Sequence, residues 1–144
     1  MENTISDWAV TVVLADAAQV YDGKLSILGG GWQTIRAMTA PFAIAILIAV
    51  PWSETNRRHK MLFTLRTADG QPVAFGEGAG SVPLQIGTEF EVGRPPGFPQ
   101  GSRFNVPIAV NVAPLPLQPG SYVWTWSLDS AERDEWRLPF EVRP

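Results

Sequence analysis

Cysteine is absent from this chain of 144 residues, and histidine occurs once, at His59. A chain without thiols forms no disulfide and has no thiolate nucleophile, and a single imidazole excludes a Cys/His zinc site. No G-x-S-x-G sequence marks a hydrolase nucleophile, and a Ser-His-Asp triad would have to use His59 from a basic loop. The sequence therefore favours a non-catalytic protein and gives no reason to expect a metal or a cofactor.

Charged residues are scarce as well. They make up 17 % of the chain against 45 % hydrophobic residues, and the net charge is −3 at pH 7. Disordered chains have the opposite composition, so we expect a folded protein. Nucleic-acid binding needs a basic face and is not expected. The length is that of one ordinary domain, which predicts a single domain over residues 1–144.

The chain has no long hydrophobic run. Its most apolar stretch, residues 40–52, is flanked by Pro41 and Pro51 and is well short of the about 20 residues that a membrane-spanning helix needs. Residues 1–7 lack the basic start and apolar stretch of a secretory signal. The absence of cysteine fits a reducing compartment. We expect a cytoplasmic protein without membrane contact.

Glycine and proline, by contrast, are abundant at 13 residues each, which is too many for a helical bundle. Between the turns that they mark, apolar and polar residues alternate as in half-buried strands. We count about nine short strands with turns every 8–12 residues. This spacing predicts an all-β fold without a long helix, namely an antiparallel β-sandwich that is immunoglobulin-like or jelly-roll-like. A closed barrel has the same spacing and is the alternative.

The stretch Phe42–Val50 is apolar on both of its faces. One face carries Phe42 and three isoleucines, and the other carries the small-residue face Ala43, Ala45, Leu47 and Ala49. A strand that is apolar on both sides is typical of the centre of a sheet covered on both sides. The cover of the small-residue face is either the chain itself or a second copy. These four residues are therefore our candidate interface.

Three of the six tryptophans are candidates for a pocket. Trp124 and Trp126 alternate with polar residues and are expected in the core. Trp32 follows three glycines, Trp52 follows Pro51, and Trp136 lies near an acidic run. If these three cluster, they could line a small-molecule pocket.

Two charged clusters have a functional and a structural interpretation. The run Arg57, Arg58, His59 and Lys60 is a candidate anion contact. The structural alternative is a solvated turn, because in a strand alternate residues point to opposite faces and the cluster would be divided. The acidic residues near the last turn lack the glycine of a calcium loop, so they are expected at a charged hairpin tip. They are Asp129, Glu132, Asp134 and Glu135.

Several segments in a fixed order carry a resemblance. They are residues 14–20 (LADAAQV), 22–25 (DGKL), 27–32 (ILGGGW), 50–52 (VPW), 56–59 (NRRH), 106–111 (VPIAVN), 115–122 (LPLQPGSY) and 136–140 (WRLPF). With them the chain resembles, nearly from end to end, an uncharacterised family of small bacterial proteins, largely actinobacterial, known as a domain of unknown function. The resemblance implies a β-sandwich and no reaction. Relatives tend to have Asp-Gly where this chain has Asp129-Ser130.

These observations leave three functional hypotheses. The first is a non-catalytic protein that acts through protein–protein contacts, as a homodimer or higher oligomer or with another protein. The second is a small-molecule-binding module or small enzyme with a tryptophan-lined pocket. The third, an accessory protein of a phage-like assembly, depends on the architecture alone.

Overall fold

A computed structural model describes residues 7–36, 40–75 and 78–144, and the structural statements below concern these residues. The fold is all-β, as predicted. Two short 3₁₀ turns, at Trp52–Glu54 and Gly78–Gly80, are the helical segments of the described ranges, which contain no α-helix. The same ranges hold twelve strands: β1 Ala9–Ala15, β2 Ala17–Tyr21, β3 Lys24–Leu28, β4 Thr34–Arg36, β5 Phe42–Val50, β6 His59–Thr67, β7 Ala74–Phe75, β8 Val82–Pro83, β9 Gln85–Phe90, β10 Phe104–Val112, β11 Gly120–Leu128 and β12 Ala131–Arg143.

The count of about nine strands was too low, since the described ranges hold twelve. Alternation in the sequence also predicts strands over Lys24–Leu28 and Phe104–Val112, and β3 and β10 have these bounds. The strands that it predicts over Val82–Ile86 and Glu89–Val92 are replaced by β8 and by β9, which spans the gap between them. The end of a strand expected over Val73–Glu77 lies outside the described residues. No helix of the described part has the length and hydrophobicity that crossing a membrane requires.

The chain divides into two compact units, which we describe separately. The first comprises residues 1–32, 39–58 and 90–115, and the second comprises residues 33–38, 59–89 and 116–144. A single domain over residues 1–144 stays a prediction.

The first unit is built on a three-stranded antiparallel sheet with the order β1-β5-β10. Its central strand is β5, as its two apolar faces predict. Pro107 in β10 pairs with Leu47, and β10 lies at an edge, where the missing N–H of proline costs no ladder bond. The isoleucine face is buried throughout, and its cross-strand partners are Leu14, Val12 and Val10 on β1.

The hairpin of β2 and β3 folds back over the other face of this sheet. Ala18 of β2 is buried together with Ala43 and Ala45 of β5, and Leu25 of β3 packs against them. The amide of Asn111 on β10 donates to the carbonyl of Ala18 at 3.3 Å. Small side chains on both sides allow this close approach.

Gly29 makes the return from this hairpin possible. Its φ is +63°, and a Cβ there would lie 2.2 Å from Oδ2 of Asp16. The amide of Asp16 donates to the carbonyls of Leu28 and Gly29. Only glycine fits a left-handed position at such close contact, which explains part of the three-glycine run.

The second unit contains a five-stranded sheet with the order β4-β12-β11-β6-β9 and the small β7-β8 pair. β11 pairs antiparallel with β12 and with β6, whereas β4 adds a short parallel edge. Trp124 and Trp126 lie on its buried face beside Phe63, as predicted. The opposite face carries Thr64 and Thr125, and we call it the polar face of this sheet.

The turn between β11 and β12 has two residues only, Asp129 and Ser130. Their φ angles are +49° and +70°, and Leu128 pairs with Ala131 across the turn. A two-residue hairpin turn with both φ angles positive favours glycine at its second position. The hairpin therefore forms despite the departure from Asp-Gly, with Ser130 in an unfavourable conformation.

We expect Ser130→Gly to raise the free energy of unfolding by about 0.5–1 kcal/mol. A left-handed L-residue costs about 1–2 kcal/mol, and the greater unfolded-state entropy of glycine offsets part of this. Urea denaturation measures the difference. The control is Ser81→Gly, because exposed Ser81 has no positive φ and should gain nothing. An equal gain in both variants would contradict this account.

Ile46, at the middle of β5, is fully buried. We expect Ile46→Ala to lower the free energy of unfolding by about 2–5 kcal/mol, since the loss combines transfer of the side chain with a cavity. Leu47→Ala, one residue further on the opposite and partly open face, should cost much less. Chemical denaturation of both variants checks the assignment of faces, which equal losses would refute.

Candidate functional site

The β2–β3 hairpin carries an exposed apolar surface, and this is the candidate functional site. Among the described residues, seven large hydrophobic side chains are exposed, and four of them lie on this hairpin. Tyr21 and Leu28 are 75 % and 70 % exposed, and Val20 and Ile27 are about half as exposed. We call these four residues the hairpin surface; Tyr21 and Leu28 lie on its outer face, whereas Val20 and Ile27 lie at the margin of the face that carries Ala18.

The two faces of the hairpin explain this exposure. Cross-strand pairing puts Ala17 with Leu28, Gln19 with Ser26, and Tyr21 with Lys24. These six residues share the face opposite to buried Ala18 and are all exposed. Lys24 is the one charged residue in the two strands. The face therefore has an apolar side chain near each end and one charge, at Lys24.

An open cleft of about 350 Å³ runs along the hairpin. Its lining combines alanine and serine with the partly exposed side chains of Ile27 and Leu28. The hairpin forms a two-stranded sheet of its own, so its outer backbone edges have no ladder partner among the strands of the described residues. The chemistry available here is apolar contact and backbone hydrogen bonding, not catalysis.

The predicted interface on β5 is covered at one end by the chain itself. Ala43 and Ala45 are buried under the hairpin, which corrects their assignment as an open interface surface. Leu47 is 38 % exposed and Ala49 is half-buried, so the face opens toward the other end of the strand. The sequence identified the right face but could not show that the hairpin Ala17–Leu28 folds onto one end of it.

Trp32 and Trp52, two of the three tryptophans of the predicted pocket, lie in the first unit and have separate partners. In the first unit, the ring of Trp32 packs edge-on against Phe42, and the ring of Trp52 packs against Phe104. Phe42 begins β5 and Phe104 pairs with its last residue, so the two contacts are about 26 Å apart at the rise of a strand. Trp136, in the second unit, is buried rather than exposed, with Arg133 over its ring.

Trp52 lines an open cleft of about 370 Å³, with Asp7 and Arg103 among the other lining residues. The guanidinium of Arg94 lies 4.2 Å from the centre of its ring and donates to its carbonyl at 2.8 Å. The Nε of Arg94 also donates to the hydroxyl of buried Thr55. The ring is thus held as a structural element, with part of its surface already occupied by a cation.

The basic run is split by the start of β6 at His59. Arg57 forms an ion pair with Glu54 at 3.0 Å, while Arg57, Arg58 and Lys60 are exposed and His59 is buried. Alternate residues of a strand point to opposite faces, so His59 and Lys60 do not form one anion contact. This corrects the candidate anion site.

His59 and Asp129 form a contact that sequence reasoning missed. Nδ1 of His59 lies 2.6 Å from Oδ2 of Asp129, whose Oδ1 accepts from the amide of Lys60 at 2.9 Å. The amide of Asp129 donates to the carbonyl of Lys60. The pair fastens the β11–β12 turn to the start of β6, and 70 residues of sequence separate its members. The signals in the sequence for this contact were a single histidine and an aspartate in a tight turn.

The acidic residues are not gathered at a hairpin tip. Asp129 lies in the two-residue turn, but Glu132, Asp134 and Glu135 belong to β12, which begins earlier than expected. Glu135 forms an ion pair with Arg133. No group of three or more potential metal ligands occurs in the part of the chain that the structure describes.

A comparison with known families finds a match over most of the chain. The model of a family of unknown function, DUF6941, matches residues 10–143. The chain belongs to this family. A search of curated proteins finds no match. Membership in DUF6941 confirms the resemblance to a domain of unknown function, whereas the bacterial origin expected with it stays a prediction.

Ala45 is 1 % exposed because the hairpin covers it, so a charged substitution there tests the cover. We expect Ala45→Glu to unfold the protein, because an unpaired carboxylate under the hairpin costs several kcal/mol of a total stability of about 5–15 kcal/mol. Leu47→Glu, on the same face but partly open, should stay folded. Circular dichroism distinguishes the two. A folded Ala45→Glu protein would show that the hairpin lifts from β5 without cost.

Proposed function

We propose that this protein is non-catalytic and acts through protein–protein contact, with the hairpin surface as the site that binds a second copy of the chain. The observation that carries the proposal is the concentration of exposed Tyr21, Leu28, Ile27 and Val20 on one hairpin. Single exposed apolar residues are normal on any protein, whereas a group of them rimmed by polar residues is typical of an interaction site.

A second copy suits this surface better than a charged partner does. The two strands offer one positive charge and no negative one, so electrostatic steering toward an acidic or basic partner is weak. A two-fold axis would place the outer faces of two hairpins against each other, so that Tyr21 and Leu28 of both copies leave water together.

Burial then supplies the affinity. Apolar surface removed from water contributes roughly 25 cal/mol per Å² before the costs of association. In a two-fold dimer, each copy buries the same apolar side chains of the hairpin surface. We also propose, from the sequence, that the strands form a β-sandwich, that the chain is a single domain and that the protein is cytoplasmic.

We expect the unmodified protein to be a dimer and Leu28→Glu to be a folded monomer. Leu28 is largely exposed, so the charge should leave the fold intact while placing two carboxylates in the interface. Light scattering during gel filtration gives the mass, and circular dichroism gives the fold.

The matched control is Val82→Glu, because Val82 is 63 % exposed and lies outside the hairpin. This variant should remain dimeric. A parent protein that is monomeric at high concentration would refute self-association, and a dimer that survives Leu28→Glu would refute the hairpin surface as its interface.

A further inference from the structure

The polar face of the five-stranded sheet contains a hollow of about 140 Å³. Six hydrogen-bonding side chains from four strands line it: Thr64 and Arg66 on β6, Gln85 on β9, Thr125 and Ser127 on β11, and Glu132 on β12. Alternation explains why this face is polar, but it does not explain why polar groups of opposite charge surround one concavity.

The register shows how these side chains come together. Thr125 pairs with Thr64, and Ser127 pairs with Glu132. Between Thr125 and Ser127 the pairing of β11 with β12 shifts, because Thr125 pairs with Arg137 while Ser127 pairs with Glu132. Irregularities of this kind are frequent next to functional sites, where they change the direction of side chains.

Arg66 is held in a fixed orientation beside the hollow. Its Nε donates to the hydroxyl of Thr125 at 3.1 Å, and one terminal nitrogen donates to the carbonyl of Gly70 at 3.3 Å. Gln85 donates to the hydroxyl of buried Thr64 at 3.3 Å. An arginine fixed by neutral acceptors keeps its charge available, and its fork geometry suits a carboxylate.

Glu132 supplies the opposite charge across the same hollow. No ion pair joins it to Arg66 or to another cation among the residues that the structure describes. Two opposite charges that line one hollow without neutralising each other complement a ligand that carries both charges.

We propose that this hollow binds a small zwitterion of the amino-acid class, with its carboxylate on Arg66 and its ammonium group on Glu132. The hydroxyls of Thr125 and Ser127 and the amide of Gln85 complete the polar lining. The site lies in the second unit and is independent of the hairpin surface in the first.

Titration of the full chain with glycine and with alanine, followed by amide chemical shifts, tests the site. We expect saturable shifts at Thr64, Thr125 and Ser127 with both amino acids. Acetate and methylammonium, each carrying one of the two charges, should bind much more weakly than glycine. Acetate that binds as tightly as glycine would overturn the zwitterion assignment, and the absence of saturable shifts with both amino acids would overturn the site.

Two charge-removing variants assign the roles of the side chains. Arg66→Gln and Glu132→Gln should each weaken glycine binding by about 10- to 100-fold, the effect of losing a hydrogen bond to a charged group. The controls are Arg143→Gln, at the other end of β12 from Glu132, and Glu135→Gln, which remove the same charges outside the lining. Equal losses in the controls would overturn the assignment, and circular dichroism verifies that each variant is folded.

Discussion

The two apolar faces of β5 are the constraint on which the first unit depends. A strand with isoleucines on one side and alanines on the other must be covered on both sides, since either face in water would forfeit its burial energy. β1 and β10 satisfy its backbone, but neither covers a face. The β2–β3 hairpin covers the alanine side by packing Ala18 against Ala43 and Ala45. Asp16 and Gly29 form the narrow base from which the hairpin folds over the sheet.

Covering β5 in this way creates the exposed surface on the hairpin. A two-stranded ribbon has two faces, and the one that buries Ala18 leaves Tyr21 and Leu28 on the other. The ribbon is too thin to have a core of its own. Its exposed side could have been polar, as on most antiparallel sheets, without any loss of cover for β5. The apolar residues there serve no packing role in the described structure, and this is the physical reason to assign them to contact with another chain.

The sequence predicted what depends on local pattern and missed what depends on long-range pairing. The alternation in residues 42–50 specified the central strand to the residue, and Pro107, a residue type that favours an edge or a bulge, lies in the edge strand β10. The small-residue face of β5 was recognised, yet its cover comes from a hairpin whose own alternation is weak. The contact of His59 with Asp129 joins residues far apart in sequence, and no local pattern encodes it. The partners of Trp32 and Trp52, which are Phe42 and Phe104, and the burial of Trp136 escaped prediction for the same reason, because sequence gives the exposure preference of an indole but not its neighbours.

Because the chain has few charged residues, a charged side chain without an ionic partner is informative about function. With 17 % charged residues, a compact protein has few ion pairs to distribute over its surface. The ion pair of Arg57 with Glu54 holds the turn that precedes β6, whereas Arg133 and Glu135 pair within β12. Arg66 is fixed instead by a hydroxyl and a carbonyl, both neutral acceptors. Glu132 lines the same hollow and forms no ion pair among the described residues. The zwitterion that we propose would give each of these two charges a partner of opposite sign.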